Sequence, residues 1–185
     1  MDSFYASVEA EEHPGLKGKP VIVGADPKGG AGRGVVSTCS YEARAFGIHS
    51  AMPISRAYYL CPDAVFLKPS FPLYSAASRR IMEILKRRSE KFQQVSIDEA
   101  FLDISSAGDY GTATDLALEI KREIREKEGL TCSIGVAPAK IVAKIASDYR
   151  KPDGLTVVPP GEVEQFLFPL PAGKIPGIGK KTGTE

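Results

Sequence analysis

The chain has 185 residues, 43% of them hydrophobic and 25% charged, with a formal net charge of +1, which is ordinary for one large or two small globular domains. No apolar run approaches the roughly 20 residues that span a bilayer and no signal-peptide pattern opens the chain; it is the odd number and wide scatter of the cysteines that argue for a cytoplasmic setting. Three scattered cysteines (Cys39, Cys61, Cys132) suit reduced thiols, and two histidines (His13, His49) argue against a zinc site.

Periodicity and breakers predict alternating helices and strands. A helix is expected from about Phe4 to Glu12, stopped by Pro14-Gly15, and then a strand from Pro20 to Gly24. The Gly-rich segment Gly24 to Gly34 lacks the Gly-Lys-Ser/Thr of a phosphate-binding loop and reads as a mobile connection to a strand at Val35 to Cys39. Ser40 caps a short helix over Tyr41 to Phe46, and Pro53 opens another to about Leu60. Ala64 to Leu67 is a short strand closed by Pro69.

A long helix is predicted from about Leu73 to Lys91, with Arg79, Arg80, Lys86, Arg87, Arg88 and Lys91 against Glu83 and Glu90. Those bases suit a solvated helix face or a phosphate-facing one equally well. Strand-like runs follow at 94–97 and 100–104, and a helix from about Thr112 to Glu128 carries Leu116, Ile120 and Ile124 on one stripe. Leu130 to Val136 is a strand, Pro138 opens a helix to about Tyr149, and Leu155 to Val158 is a last strand. The strands at 94–97, 100–104, 130–136 and 155–158, with two long helices, are expected to form one sheet with helices on one face.

The most informative segment is Ser-Ile-Asp-Glu-Ala-Phe-Leu-Asp-Ile at 96–104, which puts Asp98 and Glu99 in the turn between two strand-like runs. Alone, an Asp-Glu dipeptide is a solvated hairpin tip. Adjacent carboxylates also raise one another's pKa unless a cation sits between them. Mg²⁺ takes such oxygen ligands, using one or two carboxylates together with substrate phosphates, and two-metal phosphoryl transfer suits the pair best. Tyr41 and Arg44 lie three apart at the start of a helix, either a triphosphate cradle or an ordinary surface pair. Lys151 heads a Lys-Pro-Asp-Gly turn, where it reaches an anion or only solvent. Pro176-Gly177-Ile178-Gly179, followed by Lys180 and Lys181, has the form of a helix-hairpin-helix turn, which offers backbone N–H groups to DNA phosphates without reading sequence.

Taken in order, DSFYASVE (2–9), GKPVIVG (18–24), STCSYEAR (37–44), GIHSAMP (47–53), SIDEAFLD (96–103), IGVAPAKIVAKIASD (134–148), KPDG (151–154) and IPGIG (175–179) resemble the Y-family translesion DNA polymerases, nearest the polymerase IV branch. The resemblance covers essentially the whole chain. It implies an α+β fold: a palm with a ferredoxin-like sheet and helices on one face, a small α/β fingers subdomain, and the start of a helix-hairpin-helix thumb. Residues 1–3 would be a palm remnant, 4–69 fingers, 70–159 palm and 160–185 thumb.

The same resemblance implies template-directed addition of deoxynucleotides to a primer 3′-OH with two Mg²⁺ ions, in damage tolerance and repair. Asp98 would be a metal ligand and Glu99 the adjacent catalytic carboxylate, with the Met1 backbone carbonyl also touching metal. Tyr5 matches the position whose ring excludes a ribose 2′-OH, and Phe4 lines the same pocket. Tyr41 and Arg44 match residues that hold the triphosphate, supported by Thr38 and Lys151. Gly177, Gly179 and Lys180 would meet DNA backbone. The implied partners are primer-template DNA, deoxynucleoside triphosphates and a sliding clamp, for a monomer without membrane association.

The match departs at both ends. Relatives carry a buried apolar strand ending in a metal-binding aspartate immediately ahead of the position of Met1, and a further DNA-gripping domain after the thumb; neither is in this sequence. Asp2 would lie about 6–7 Å along the strand from the missing acid, and a two-residue slip of an apolar strand is resisted by its packing. The chain is therefore expected to be a fragment, or to have its start set too late, and to be catalytically crippled and poorly folded. Two rival readings are a non-catalytic DNA- or partner-binding module, indifferent to Asp98→Ala, and a palm-type nucleotide cyclase, which would consume triphosphate without DNA.

Overall fold

In a computed structural model that describes residues 1–178, the chain divides into two compact units. The first comprises Met1 and Ser3 to Arg80, and the second Asp2 and the chain from Ile81 onward.

The first unit begins with α1 (Phe4–Glu12), which ends at His13 just before Pro14. Four consecutive buried residues form β1 (Val21–Gly24), the pattern of a strand covered on both faces. It pairs antiparallel with β2 (Val36–Cys39) and parallel with β3 (Val65–Leu67), in the order β2-β1-β3. Ser40 caps α2 (Tyr41–Arg44) by accepting from the Ala43 N–H, and α3 (Ile54–Leu60) follows Pro53. Ile22, Val36, Cys39, Ile48, Ile54 and Ala57 make the core of this unit. The Gly-rich segment, expected to be a mobile connection, folds instead as a hydrogen-bonded turn. Gly30 and Gly32 both donate to the Pro27 carbonyl at 2.8 Å, and a Cβ on Gly32 would lie 2.1 Å from the Asp26 oxygen.

The division between the units falls within α4 (Phe71–Lys86). This helix stops five residues short of the expected Lys91, which instead starts β4 (Lys91–Gln94) and pairs with Asp103 of β5 (Ala100–Asp103). The Asp109 carboxylate caps α5 (Tyr110–Glu128) through the Thr112 N–H, and Gly129 ends it with φ +69°, a conformation glycine adopts without strain. Its buried stripe is Ala113, Ala117, Ile120 and Ile124; Leu116, expected on it, is half-buried at the edge.

β6 (Ile134–Val136) pairs parallel with β7 (Leu155–Val157), and α6 (Lys140–Tyr149) packs on both. A short α7 (Val163–Leu167) follows, where Val163, Phe166 and Leu167 pack against Val142, Ala146 and Val158.

The four strands expected in one sheet form two separate ladders, β4–β5 and β6–β7. The run expected at 94–97 pairs at 91–94 instead, and the one expected at 130–136 begins only at Ile134. Phe101, Leu102 and Ile104, with Val136, Pro138 and Ala143, line a cavity of about 570 Å³. The mixed α/β character of the unit is as expected.

The basic run at 79–91 is largely consumed by ion pairs inside the second unit. Arg87 and Arg88 both reach Glu123, Arg88 also reaches Glu119, Lys86 meets Glu83, and Lys91 meets Asp103. Lys127 and then Arg88 hold the Glu123 carboxyl at about 2, and the Ser105 hydroxyl and N–H with Lys91 hold Asp103 at about 2.

Both carboxyls titrate lower in the folded chain than in the unfolded one. Their contribution is complete above the unfolded values and is lost as pH falls through the folded ones. Urea-unfolding midpoints should therefore drop between about pH 5 and about pH 2.5, and Glu123→Gln should flatten that dependence. A second test concerns the approach of α6 to β6, where a Cβ on Gly135 would lie 2.0 Å from the Ala143 carbonyl oxygen. Gly135→Ala should cost about 1–3 kcal/mol in the same assay.

Candidate active site

The acid pair sits where the sequence places it. Gln94 opposes Ala100 across the β4–β5 ladder, which leaves 95–99 as the connecting turn. The Val95 and Ser96 N–H groups both donate to the Glu99 carbonyl, at 2.9 and 3.2 Å, and close the turn. The Ser96 hydroxyl donates to Asp98 Oδ1 at 2.9 Å while accepting from the Asp98 N–H at 3.3 Å. Asp98 and Glu99 are both half-buried.

Positive charge reaches Glu99 from α6. The Lys144 ammonium donates to Glu99 Oε1 and lies 3.5 Å from Asp148 Oδ2. On its other side, Asp148 Oδ1 accepts from Lys151 Nζ at 2.7 Å. Burial acts to lower the Lys144 pKa, but hydrogen bonding to Glu99 and the charge of Asp148 outweigh it, and the net shift is upward. For Asp148, burial acts upward and is outweighed by Lys151 and Lys144, which hold the carboxyl below its usual range.

Asp2 is only 2% exposed, and its carboxylate is committed elsewhere. Oδ1 accepts from the Ser133 hydroxyl at 2.7 Å, Oδ2 accepts from the Asp153 N–H at 2.9 Å, and the Asp2 N–H donates to the Thr131 carbonyl at 3.2 Å. Lys121 and Arg125 of α5 grip the Asp153 carboxylate at 2.6 and 3.1 Å. Together these contacts fix the turn 151–154 and so the base of Lys151.

In the first unit, Tyr5 stacks on Tyr74 with ring centroids 4.2 Å apart and 10° between planes, and Phe4 and Phe71 flank it. The fully buried Tyr74 hydroxyl donates to Glu9 Oε1 at 2.6 Å; burial first and this bond second push the phenol well above its ordinary range. A half-buried Tyr5 ring thus rests on an anchored platform. Arg44 is exposed and lies 4.8 Å from the Tyr41 ring centroid, the face-sharing that their spacing predicts. Thr38 is half-buried on β2, opposite Val23 of β1.

The structure thus brings Asp98, Glu99 and Lys151 into one connected set in the second unit, and Tyr5, Phe4, Tyr41, Arg44 and Thr38 belong to the first. Met1 is counted with the first unit and is half-buried. Gly177 is exposed with φ +91°, in a turn where the Ile178 N–H donates to the Ile175 carbonyl at 3.0 Å; Gly179 and Lys180 lie outside the described residues. Sequence reasoning missed Lys144, Asp148, Ser133 and Lys121. The spacing of Lys144, Asp148 and Lys151 was a legible signal of mutual pairing; the contact of Lys144 with Glu99, 45 positions away, was not.

Among the described residues no group of three or more His, Cys, Asp or Glu side chains forms a metal cage. The donor chemistry of Asp98 and Glu99 fits a hard divalent ion that takes its remaining oxygens from a phosphate ligand. Removing the Asp2 carboxylate would leave the Ser133 hydroxyl and the Asp153 N–H without their acceptor. Asp2→Ala should therefore lower stability by about 1–3 kcal/mol in urea unfolding.

The impB/mucB/samB (IMS) family profile matches residues 1–148. DNA polymerase IV of Methanoculleus marisnigri is 64% identical over the whole chain, which covers 51% of that relative, and DNA polymerase IV 2 of Methanosarcina mazei is 61% identical over 98% of the chain and 50% of that relative. The chain thus spans about half the length of these curated relatives. Among solved structures, DinB from Sulfolobus solfataricus superposes with a TM-score of 0.90 at 41% identity, covering 99% of this chain and 53% of that one. The insertion ternary complex of Dbh DNA polymerase gives 0.90 at 43%, covering 97% and 53%. The sequence profile, the identities and the superpositions agree: this chain belongs to the impB/mucB/samB family and has the Y-family polymerase fold.

Proposed function

We propose that the chain is the nucleotide-handling half of a translesion-type DNA polymerase, which adds deoxynucleotides to a primer 3′-OH and releases pyrophosphate. The observation that carries this reading is the closed acidic turn at 95–99, with Asp98 and Glu99 adjacent in it and Glu99 joined through Lys144 and Asp148 to Lys151. It is an arrangement of oxygen ligands next to a potential phosphate ligand.

On this reading Asp98 and Glu99, with the Met1 carbonyl, hold two Mg²⁺ ions. Those ions, when bound, supply charge neutralisation for in-line displacement at the α-phosphate. The chain's own residues position the reactants. Tyr41, Arg44, Thr38 and Lys151 hold the triphosphate, Arg44 presenting the fork of donors that matches phosphate oxygens. Tyr5, fixed by its stack on Tyr74, lies under the sugar and rejects a 2′-OH; Phe4 lines the same pocket. Gly177, Gly179 and Lys180 meet the DNA backbone, and a sliding clamp engages the longer protein. Residues 4–69 act as fingers, 70–159 as palm and 160–185 as the start of a thumb.

On this reading Asp2 is a structural residue rather than a metal ligand, since its two oxygens accept from the Ser133 hydroxyl and the Asp153 N–H. The test is primer extension with Mg²⁺ on three proteins: this chain, a version extended ahead of Met1 by an apolar strand ending in aspartate, and the extended version with Asp98→Ala. Extension should be strong only in the second, and triphosphate without DNA should yield no product. Equal extension by the second and third would overturn the assignment of Asp98.

A further inference from the structure

Glu99, Lys144, Asp148 and Lys151 alternate in charge along one connected path. Lys144 Nζ donates to Glu99 and sits 3.5 Å from Asp148 Oδ2, and Lys151 Nζ is 2.7 Å from Asp148 Oδ1. Helical spacing builds most of it: Lys144 and Asp148 are four apart on α6, and Lys151 follows three later. The only long-range link is the one to Glu99, and α6 is seated for it by the close approach at Gly135. The path is neutral as a set, and each inner member has a partner on both sides.

Such a chain has two arrangements. In the one observed, Lys144 neutralises Glu99, and Asp148 holds Lys151. In the other, Glu99 takes a divalent cation in place of the ammonium, Lys144 shifts wholly to Asp148, and Lys151 is released to an anion. Electroneutrality couples the ends, because Asp148 freed of Lys151 needs Lys144, and Lys144 is free for it only when Glu99 has another counter-charge.

We propose that Lys144 and Asp148 are positioning residues that link cation binding at Glu99 to phosphate binding at Lys151, so that Lys151 engages a polyphosphate fully only once Glu99 holds a metal ion. This rests on the reading of Glu99 as a cation ligand and Lys151 as a phosphate ligand. It couples assembly of the triphosphate ligand to arrival of the metal. Linkage is reciprocal, so the anion at Lys151 likewise eases the cation onto Glu99.

The relay predicts effects opposite to those of a merely structural role. Lys144→Gln removes the ammonium that competes with cation for Glu99, so Mn²⁺ binding to this chain, followed by electron paramagnetic resonance without nucleotide, should tighten about fivefold. Asp148→Asn releases Lys151, so inorganic tripolyphosphate binding, followed calorimetrically in EDTA, should also tighten about fivefold. Lys144→Arg, which keeps the charge, should leave Mn²⁺ affinity near that of the unmodified chain. Circular dichroism establishes that each variant is folded, and if Lys144→Gln is not, the Asp148→Asn result decides alone. Unchanged or weakened binding in the folded variants, with both ligands binding the unmodified chain, would overturn the relay and leave the proposed function standing. Failure of the unmodified chain to bind either Mn²⁺ or tripolyphosphate would overturn both.

Discussion

Two carboxylates side by side in one closed turn create the constraint around which the second unit is arranged. Adjacent carboxyl groups concentrate negative charge in this turn, and Glu99 is met there by a positive one. Lys144 supplies it from a helix 45 residues away in sequence. For that, α6 must lie tight on β6, which the missing side chain of Gly135 permits. Lys144 brings Asp148 with it, Asp148 brings Lys151, and Lys151 heads a turn held from behind by Asp2, Ser133 and Lys121. Each of these residues has its place because the one before it needs a counter-charge or a hydrogen bond.

The first unit meets a different requirement by apolar means. Tyr5 is held by stacking on Tyr74, whose hydroxyl is tied to a buried Glu9. The hydrogen bond offsets the cost of burying Glu9, which is only 5% exposed. Arg44, by contrast, is exposed and rests on the Tyr41 ring. Its guanidinium also hydrogen-bonds the Cys39 thiol and, with its charge, works against the burial that raises that thiol's pKa.

How much of this the sequence carried depends on the range of the interaction. Local signals held well: Ser40 as a cap, Pro14 as a stop, Asp98 and Glu99 in a turn, Tyr41 and Arg44 on one face. The long helix was read five residues too far because Lys86 to Lys91 keeps a charged, helix-compatible composition, while the ladder to Asp103 claims Lys91 for a strand. Likewise four strand-like runs suggested one sheet, and only the pairing shows two ladders, since period-two patterning says nothing about which edges meet. Asp2 was weighed as a metal ligand and set aside on distance; the structure adds that its oxygens are already used. Lys144 went unnoticed as a site residue because nothing in its neighbourhood in the sequence points to residue 99.

On the proposed function, Asp98 and Glu99 form a cation site, and Lys144 is the counter-charge that a cation displaces from Glu99. The most direct measurement is a Mn²⁺ titration of the ¹⁵N-labelled chain followed by paramagnetic broadening of its amide resonances. The account predicts that the amides of residues 96–100 and Lys144 broaden first, and that Asp98→Ala abolishes the effect. Broadening that starts elsewhere, or that survives Asp98→Ala unchanged, would contradict it.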